Sequence, residues 1–136
     1  MPTAAKNSPS EEHDLAAQIV EALTALFGVH PGYRAVHAKG IVCQGTFRPA
    51  GSAASVSRAP HLQREPVPIT VRFSNFPGVP TLPDGDPNSS PRGLAIKFRL
   101  PGGATTDIVA HSYNGFPVST GEEFLAFAQA LAASGP

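Results

Sequence analysis

Apolar and polar residues recur along this chain with two different periods. Leu15, Ala16, Ile19, Val20, Leu23, Leu26 and Phe27 are spaced three or four residues apart, which marks one face of a helix. Ser8-Pro9-Ser10-Glu11 precedes them in capping-box order, and Gly28 suits the position just past the end. The pattern predicts an amphipathic helix over 9–27, after a flexible leader over 1–8. His30-Pro31-Gly32 then turns the chain. Residues 33–48, YRAVHAKGIVCQGTFR, read as one long strand. Gly40 and Gly45 lie inside it, where glycine marks a bulge or the close approach of a ligand or another backbone. After a small-residue loop over 49–66 the alternation is strict. Val67, Ile69, Val71 and Phe73 share one face, and Thr70, Arg72 and Ser74 share the other. A Pro/Asp/Asn loop over 75–91 leads to a strand over 92–100 that carries Leu94, Ile96, Phe98 and Leu100 on one side. Pro101-Gly102-Gly103 turns into a short strand over 105–110, and Thr120-Gly-Glu-Glu123 opens a second helix with Phe124, Phe127, Ala128 and Leu131 along one side.

These elements make an α+β chain of one domain, or part of one, over 9–136. Four strands leave two open edges and cannot close a barrel. The loops of 49–66 and 75–91 are long for so small a body, a feature of functional loops or larger assemblies. An N-terminal portion of a larger fold is therefore expected. Gly and Pro number 13 and 15, which disfavours a helical bundle. Ten basic and ten acidic side chains cancel, so a nucleic-acid or membrane-surface partner is not expected. No apolar run is long enough to span a bilayer, and MPTAAKNSPSEEHD has no apolar stretch to act as a secretion signal. A cytoplasmic location is the resulting expectation. The single Cys43 excludes an internal disulfide.

The ten bases are seven Arg and three Lys, a bias toward the side chain that holds planar anions in fixed geometry. Arg34 and Arg72, both on predicted strands, could converge on a bound dianion, although a strand Arg is more often a surface ion pair. Strand parity groups His37 with Tyr33, Ala35, Ile41, Cys43 and Phe47, a mostly apolar face. The plain reading is a core histidine satisfied by one hydrogen bond, and the functional one is an acid/base group over an apolar pocket. A hydrolase triad of His37, Ser74 and Asp107 lacks a Gly-x-Ser-x-Gly elbow. The five histidines show no zinc spacing.

Four ordered segments are more specific together. Arg34-Ala-Val-His37-Ala-Lys-Gly40 with Gly45-Thr-Phe47 resembles the distal-histidine strand of haem catalases. Val71-Arg-Phe-Ser74 and Arg92-Gly-Leu-Ala-Ile-Lys-Phe98 are similar to the next two strands of that family. Asp107-Ile-Val-Ala-His-Ser-Tyr-Asn-Gly-Phe116, with Glu-Glu-Phe124 beyond it, is similar to the fourth segment, most of all in the small catalase-related peroxidases. The resemblance spans roughly 30–133. It implies the N-terminal part of a catalase-like antiparallel β-barrel with flanking helices, and a haem b cofactor. His37 would be the distal acid/base that moves a proton between the two oxygens of hydrogen peroxide. Arg34 and Arg72 would hold the haem propionates, while Val36, Gly93, Val109, Phe116 and Phe124 would line the macrocycle.

Two departures qualify what is implied. Where the family places a distal Asn, the ungapped count puts His111, with Asn114 as the nearest amide. A second titratable donor there favours peroxidase-like turnover over fast dismutation. The family's proximal ligand is a Tyr four residues after an Arg, whereas Tyr33 and Tyr113 follow Val29 and Val109. No iron ligand is therefore expected in this chain, and the 136 residues alone are expected to be inactive. A missing C-terminal portion or a homo-oligomer would complete the fold, and a small-molecule reductant would complete the cycle. Two alternatives stay open: a non-catalytic binding remnant of the same fold, and a haem enzyme acting on an organic or lipid hydroperoxide.

Overall fold

The structure, a computed structural model, describes residues 9–63 and 66–134. The leader over 1–8, the Ser8 half of the first capping box, and Gly135-Pro136 lie outside the described residues. Helix α1 runs Pro9–Phe27. It ends where Gly28, at φ 82°, donates its N–H to the Thr24 carbonyl at 2.8 Å. That left-handed position is the one glycine fills without a Cβ penalty. Strand β1 is Gly40–Phe47, the single-turn helix α2 is Ala53–Val56, and a 3₁₀ turn follows at Pro60–Leu62. Strands β2 (Val67–Asn75), β3 (Arg92–Arg99) and β4 (Thr105–His111) precede helix α3 (Gly121–Ser134).

The four strands form an antiparallel meander in the order β1-β2-β3-β4. Its outer strands do not pair with each other, so the sheet is open. The register sorts the side chains onto two faces. Ile41, Phe73, Leu94 and Ala110 form one cross-strand row, and Cys43, Val71, Ile96 and Ile108 the next. Gly40, Ser74, Gly93 and His111 form a row on the opposite face, beside Val42, Arg72, Ala95 and Val109. At the far end of the apolar face Phe98 is fully buried, with the His61 ring stacked on it at 4.3 Å and Phe47 edge-on at 5.2 Å.

Helices α1 and α3 pack on each other through Ala22, Leu23 and Ala128, with Ile19, Ala35, Val36, Phe124 and Leu125 around them. The second capping box is formed as the sequence predicts. Glu123 donates its N–H to Thr120 Oγ1 at 3.2 Å, while its Oε2 accepts the N–H groups of Ser119 and Thr120 at 2.8 and 3.2 Å. Losing such a cap costs about 0.5–2 kcal/mol. Thr120→Ala is therefore expected to lower the urea midpoint without changing the slope of the transition. An unchanged midpoint would show that α3 is held by packing alone.

The strand predicted over 33–48 is shorter in the structure. Residues 33–39 are irregular, and pairing starts only at Gly40. His37 takes φ 54°, left-handed for a non-glycine residue, which breaks the side-to-side alternation that parity counting assumes. Its backbone is held by tertiary bonds instead: His37 N–H donates to the Phe76 carbonyl at 2.7 Å and Ala38 N–H to that of Pro77 at 3.3 Å. His37 is thus neither mid-strand nor on the face of Ile41 and Cys43, and Arg34 lies on no strand. The other boundaries shift by a residue, with β3 ending at Arg99 and β4 running to His111.

The loop after β2 is tied down by a polar cluster. Lys39 Nζ lies 3.0 Å from Asp84 Oδ1 and donates to the Leu82 carbonyl at 2.9 Å. Asn75 Nδ2 donates to Asp84 Oδ1 at 2.9 Å, and Arg92 donates to both Asn75 Oδ1 and the Asp84 carbonyl. The bonds from Asn75 and Lys39 hold the Asp84 carboxyl below its ordinary pKa. One loop residue thereby joins the start of β1, the end of β2 and the start of β3, which fixes Phe76 where it meets His37.

Candidate active site

The His37 ring lies over the row of Gly40, Ser74, Gly93 and His111. Its Nδ1 is 3.0 Å from Ser74 Oγ, and Phe76 meets it edge-on with ring centroids 5.6 Å apart. Phe27 of α1 supports Phe76 in turn, edge-on at 5.8 Å. Gly93 is what lets the imidazole in. A Cβ built on Gly93 would lie 2.7 Å from His37 Cε1 and 2.7 Å from Ser74 Oγ. His111 is the cross-strand partner of Gly93 on β4, so the two histidines flank the same glycine. His111 Nδ1 accepts the Tyr113 N–H at 3.2 Å, which leaves Nε2 as the protonated nitrogen of the neutral ring.

Arg72 reaches from β2 toward the same place. A terminal guanidinium nitrogen donates to the His37 carbonyl at 2.6 Å and lies 3.5 Å from that of Ala38. Gly40 makes the passage: a Cβ there would lie 2.7 Å from that nitrogen and 2.5 Å from the Phe73 carbonyl. Gly45, by contrast, has open space where its Cβ would be. Of the two glycines singled out in this strand, only Gly40 marks a close approach.

Burial first, and then the positive charges of Arg72 and Arg34, push the His37 pKa below its ordinary 6.5. Arg72 is itself lowered, by burial and then by Arg34. The two guanidinium groups are thus near enough to repel each other. On this face Val42, 60% exposed, and Val109, 81% exposed, flank Arg72 and Ala95 in one row that nothing described covers. Phe116, 61% exposed, borders it, 5.8 Å from the His111 ring and stacked on Phe124 at 5.7 Å.

The residues singled out from the sequence therefore divide. His37, Arg72, Gly93, Val109 and His111 share one face, with Phe116 at its border and the Arg34 charge within reach of it. Val36 and Phe124 pack against the α1–α3 cluster, and Phe124 meets the site through Phe116. Tyr33, Tyr113 and Asn114 are exposed and lie off the sheet. Asp107 pairs with Lys97 Nζ at 2.8 Å in the row of Thr70, on the far side of the Arg72 row from Ser74, so His37, Ser74 and Asp107 form no triad. Ser74 enters instead as the Nδ1 partner, a role its shared parity with Arg72 could have suggested. Phe76 and the Asp84 cluster carried no signal in sequence spacing.

The site brings together a histidine whose charged form is disfavoured, a second histidine across Gly93, the charges of Arg72 and Arg34, and the exposed Val42 and Val109. The comparisons name the class. The chain matches the Catalase family over residues 17–134 and belongs to that family. It is 42% identical over 114 residues to a catalase-related peroxidase of Mycolicibacterium paratuberculosis (strain ATCC BAA-968 / K-10), covering 84% of this chain and 36% of that protein. It is 34% identical over 107 residues to a catalase-related peroxidase of Synechococcus elongatus (strain ATCC 33912 / PCC 7942 / FACHB-805), covering 79% of this chain and 31% of that protein. The chain thus spans about a third of the length of these curated relatives.

Proposed function

We propose that this chain forms the distal side of a haem-dependent peroxidase acting on hydrogen peroxide, with its open sheet as part of a catalase-like barrel. The observation that carries the reading is the His37 ring, seated on Ser74 and Gly93 beside Arg72 and the exposed Val42 and Val109. The residues fit the group. Arg34 and Arg72 would hold the two carboxylates of a haem b, and Val42, Val109 and Phe116 would meet its apolar surface. When bound, the haem supplies the iron at which peroxide binds and the electrons that break the O–O bond.

His37 does the proton work. With Nδ1–H donated to Ser74 Oγ, its Nε2 is a free acceptor that takes a proton from one peroxide oxygen and returns it to the departing one. His111 Nε2–H donates a hydrogen bond that orients the peroxide, the task an amide performs elsewhere in the family. The Phe27–Phe76 pair fixes the imidazole, and burial, with the Arg72 charge second, disfavours its protonated form. The second part of the reading is that residues 1–136 alone turn over little peroxide. Neither tyrosine follows an arginine by four residues, so a protein ligand for the iron would have to be supplied from outside these residues.

Haemin titration followed by absorbance, then peroxide consumption with an aromatic electron donor, tests both parts. Saturable one-to-one binding that weakens in Arg34→Gln and Arg72→Gln is expected, with turnover only where a further ligand for the iron is supplied. Binding unaffected by either variant contradicts the site, and full turnover by the 136 residues contradicts the second part.

The lowered His37 pKa gives a pH dependence. The neutral ring is the competent base, so the acid limb of kcat/KM should fall below pH 6.5. Arg34→Gln removes one of the charges responsible and should move that limb upward. The folded chain also binds a proton at His37 less readily than the unfolded chain does. Stability from this group is therefore complete above pH 6.5 and is lost as pH falls through the folded value. A Tm that declines equally with acid in His37→Ala and the parent would contradict this linkage.

A further inference from the structure

We propose that Arg72 is a positioning residue for His37, clamping the histidine's backbone carbonyl as well as facing the anion site. Three observations converge on this. His37 holds φ 54°, a conformation that persists in a residue with a Cβ only when its surroundings over-determine it. The Arg72 guanidinium donates to the carbonyl of that same residue at 2.6 Å. Gly40 is the residue whose missing side chain opens the path, since a Cβ there would stand 2.7 Å from the donating nitrogen.

The geometry separates this role from simple charge. A cation anywhere nearby would repel a proton on the imidazole, but only a donor at the His37 carbonyl holds the left-handed turn. That turn carries the ring onto Ser74 and Gly93. Of the other backbone bonds to the segment, His37 N–H to the Phe76 carbonyl and Ala38 N–H to that of Pro77 belong to the loop after β2, while Asn75 N–H at the end of β2 donates to the Lys39 carbonyl at 3.2 Å. Arg72 is the strand side chain that bonds the His37 carbonyl. It therefore ties the acid/base group to the strand that also carries its Nδ1 partner, Ser74. Lysine in its place would keep the charge on a stem one bond shorter, without the fork that reaches past Gly40.

The inference rests on the reading of His37 as the acid/base group, yet its test needs no haem, so the two can fail separately. Amide hydrogen exchange and imidazole titration are followed by NMR on the full chain without added haemin, in the parent, Arg72→Lys, Arg72→Gln and Arg34→Gln. In both Arg72 variants the His37 amide is expected to exchange about tenfold faster relative to Ile96 of β3, the scale of one lost charge-assisted hydrogen bond. The His37 ring signals should move with it. Arg72→Lys should leave the ring titration near the parent's. Arg34→Gln should raise it with no change in relative exchange. An unchanged His37-to-Ile96 ratio in Arg72→Lys overturns the proposal. So does a loss of protection spread evenly over the sheet, or an Arg34 variant that matches the Arg72 variants.

Discussion

His37→Ala in the haem-loaded, turnover-competent protein should lower peroxide consumption by about 10²–10⁴-fold, the usual contribution of a positioned general acid/base. Haemin affinity should change little, because the imidazole contacts Ser74, Gly93 and Phe76 and not the arginines' outward face. The loss should appear in kcat/KM for peroxide, since proton removal from the incoming peroxide is the assisted step. Ser74→Ala should be milder, because the ring loses its Nδ1 partner but keeps its seat against Gly93 and Phe76. Stopped-flow mixing with peroxide at several pH values separates the variants. Full activity in His37→Ala would remove the histidine from the chemistry.

The second large effect is expected from a residue with no side chain. Gly93→Ala places a methyl group 2.7 Å from both His37 Cε1 and Ser74 Oγ, closer than real Cβ contacts come. Gly93 is buried in a paired strand, so the backbone cannot easily give way and the imidazole must move. Forcing a methyl group into a packed position costs about 1–3 kcal/mol. A catalytic group displaced by about 1 Å can lose 10²-fold in rate. Gly93→Ala should therefore reproduce much of the His37→Ala defect while lowering Tm. The double variant should be scarcely worse than His37→Ala alone, because both changes remove the same group. Additive losses would show that Gly93 acts through something other than His37.

Much of the fold was legible in the residue pattern because its causes are local. The spacing of Leu15 to Phe27 and the glycine at 28 depend on neighbours within a turn or two, and so does the Thr120–Glu123 box. The alternation of Val67 to Phe73 survives because β2 is paired on both sides and keeps a strict period. The site was legible in its members but not in its assembly. Parity carried His37 backward from β1 to the wrong face, since residues 33–39 take their hydrogen bonds from Phe76, Pro77 and Arg72, some 35–40 residues away. The Asp84 cluster was hidden for another reason: Asn75 and Arg92 lie only nine and eight residues away, but it takes the fold of three strands to bring them and Lys39 to one carboxyl. Val36 and Phe124 read as lining residues, yet they pack with Ala22, Leu23 and Ala128. Helix packing of that kind leaves no trace in strand spacing.

The central claim is that haem docks on the sheet face of Arg72 and Val109, beneath His37. The most direct measurement is paramagnetic broadening of side-chain NMR signals when haemin is added to isotopically labelled protein. The account predicts that Val42, Ala95 and Val109 broaden together with the His37 and His111 rings, while Ile41, Val71 and Ile108 on the opposite face stay sharp. Broadening centred on Ile41, Val71 and Ile108, or none at a haemin concentration that saturates binding, would contradict it.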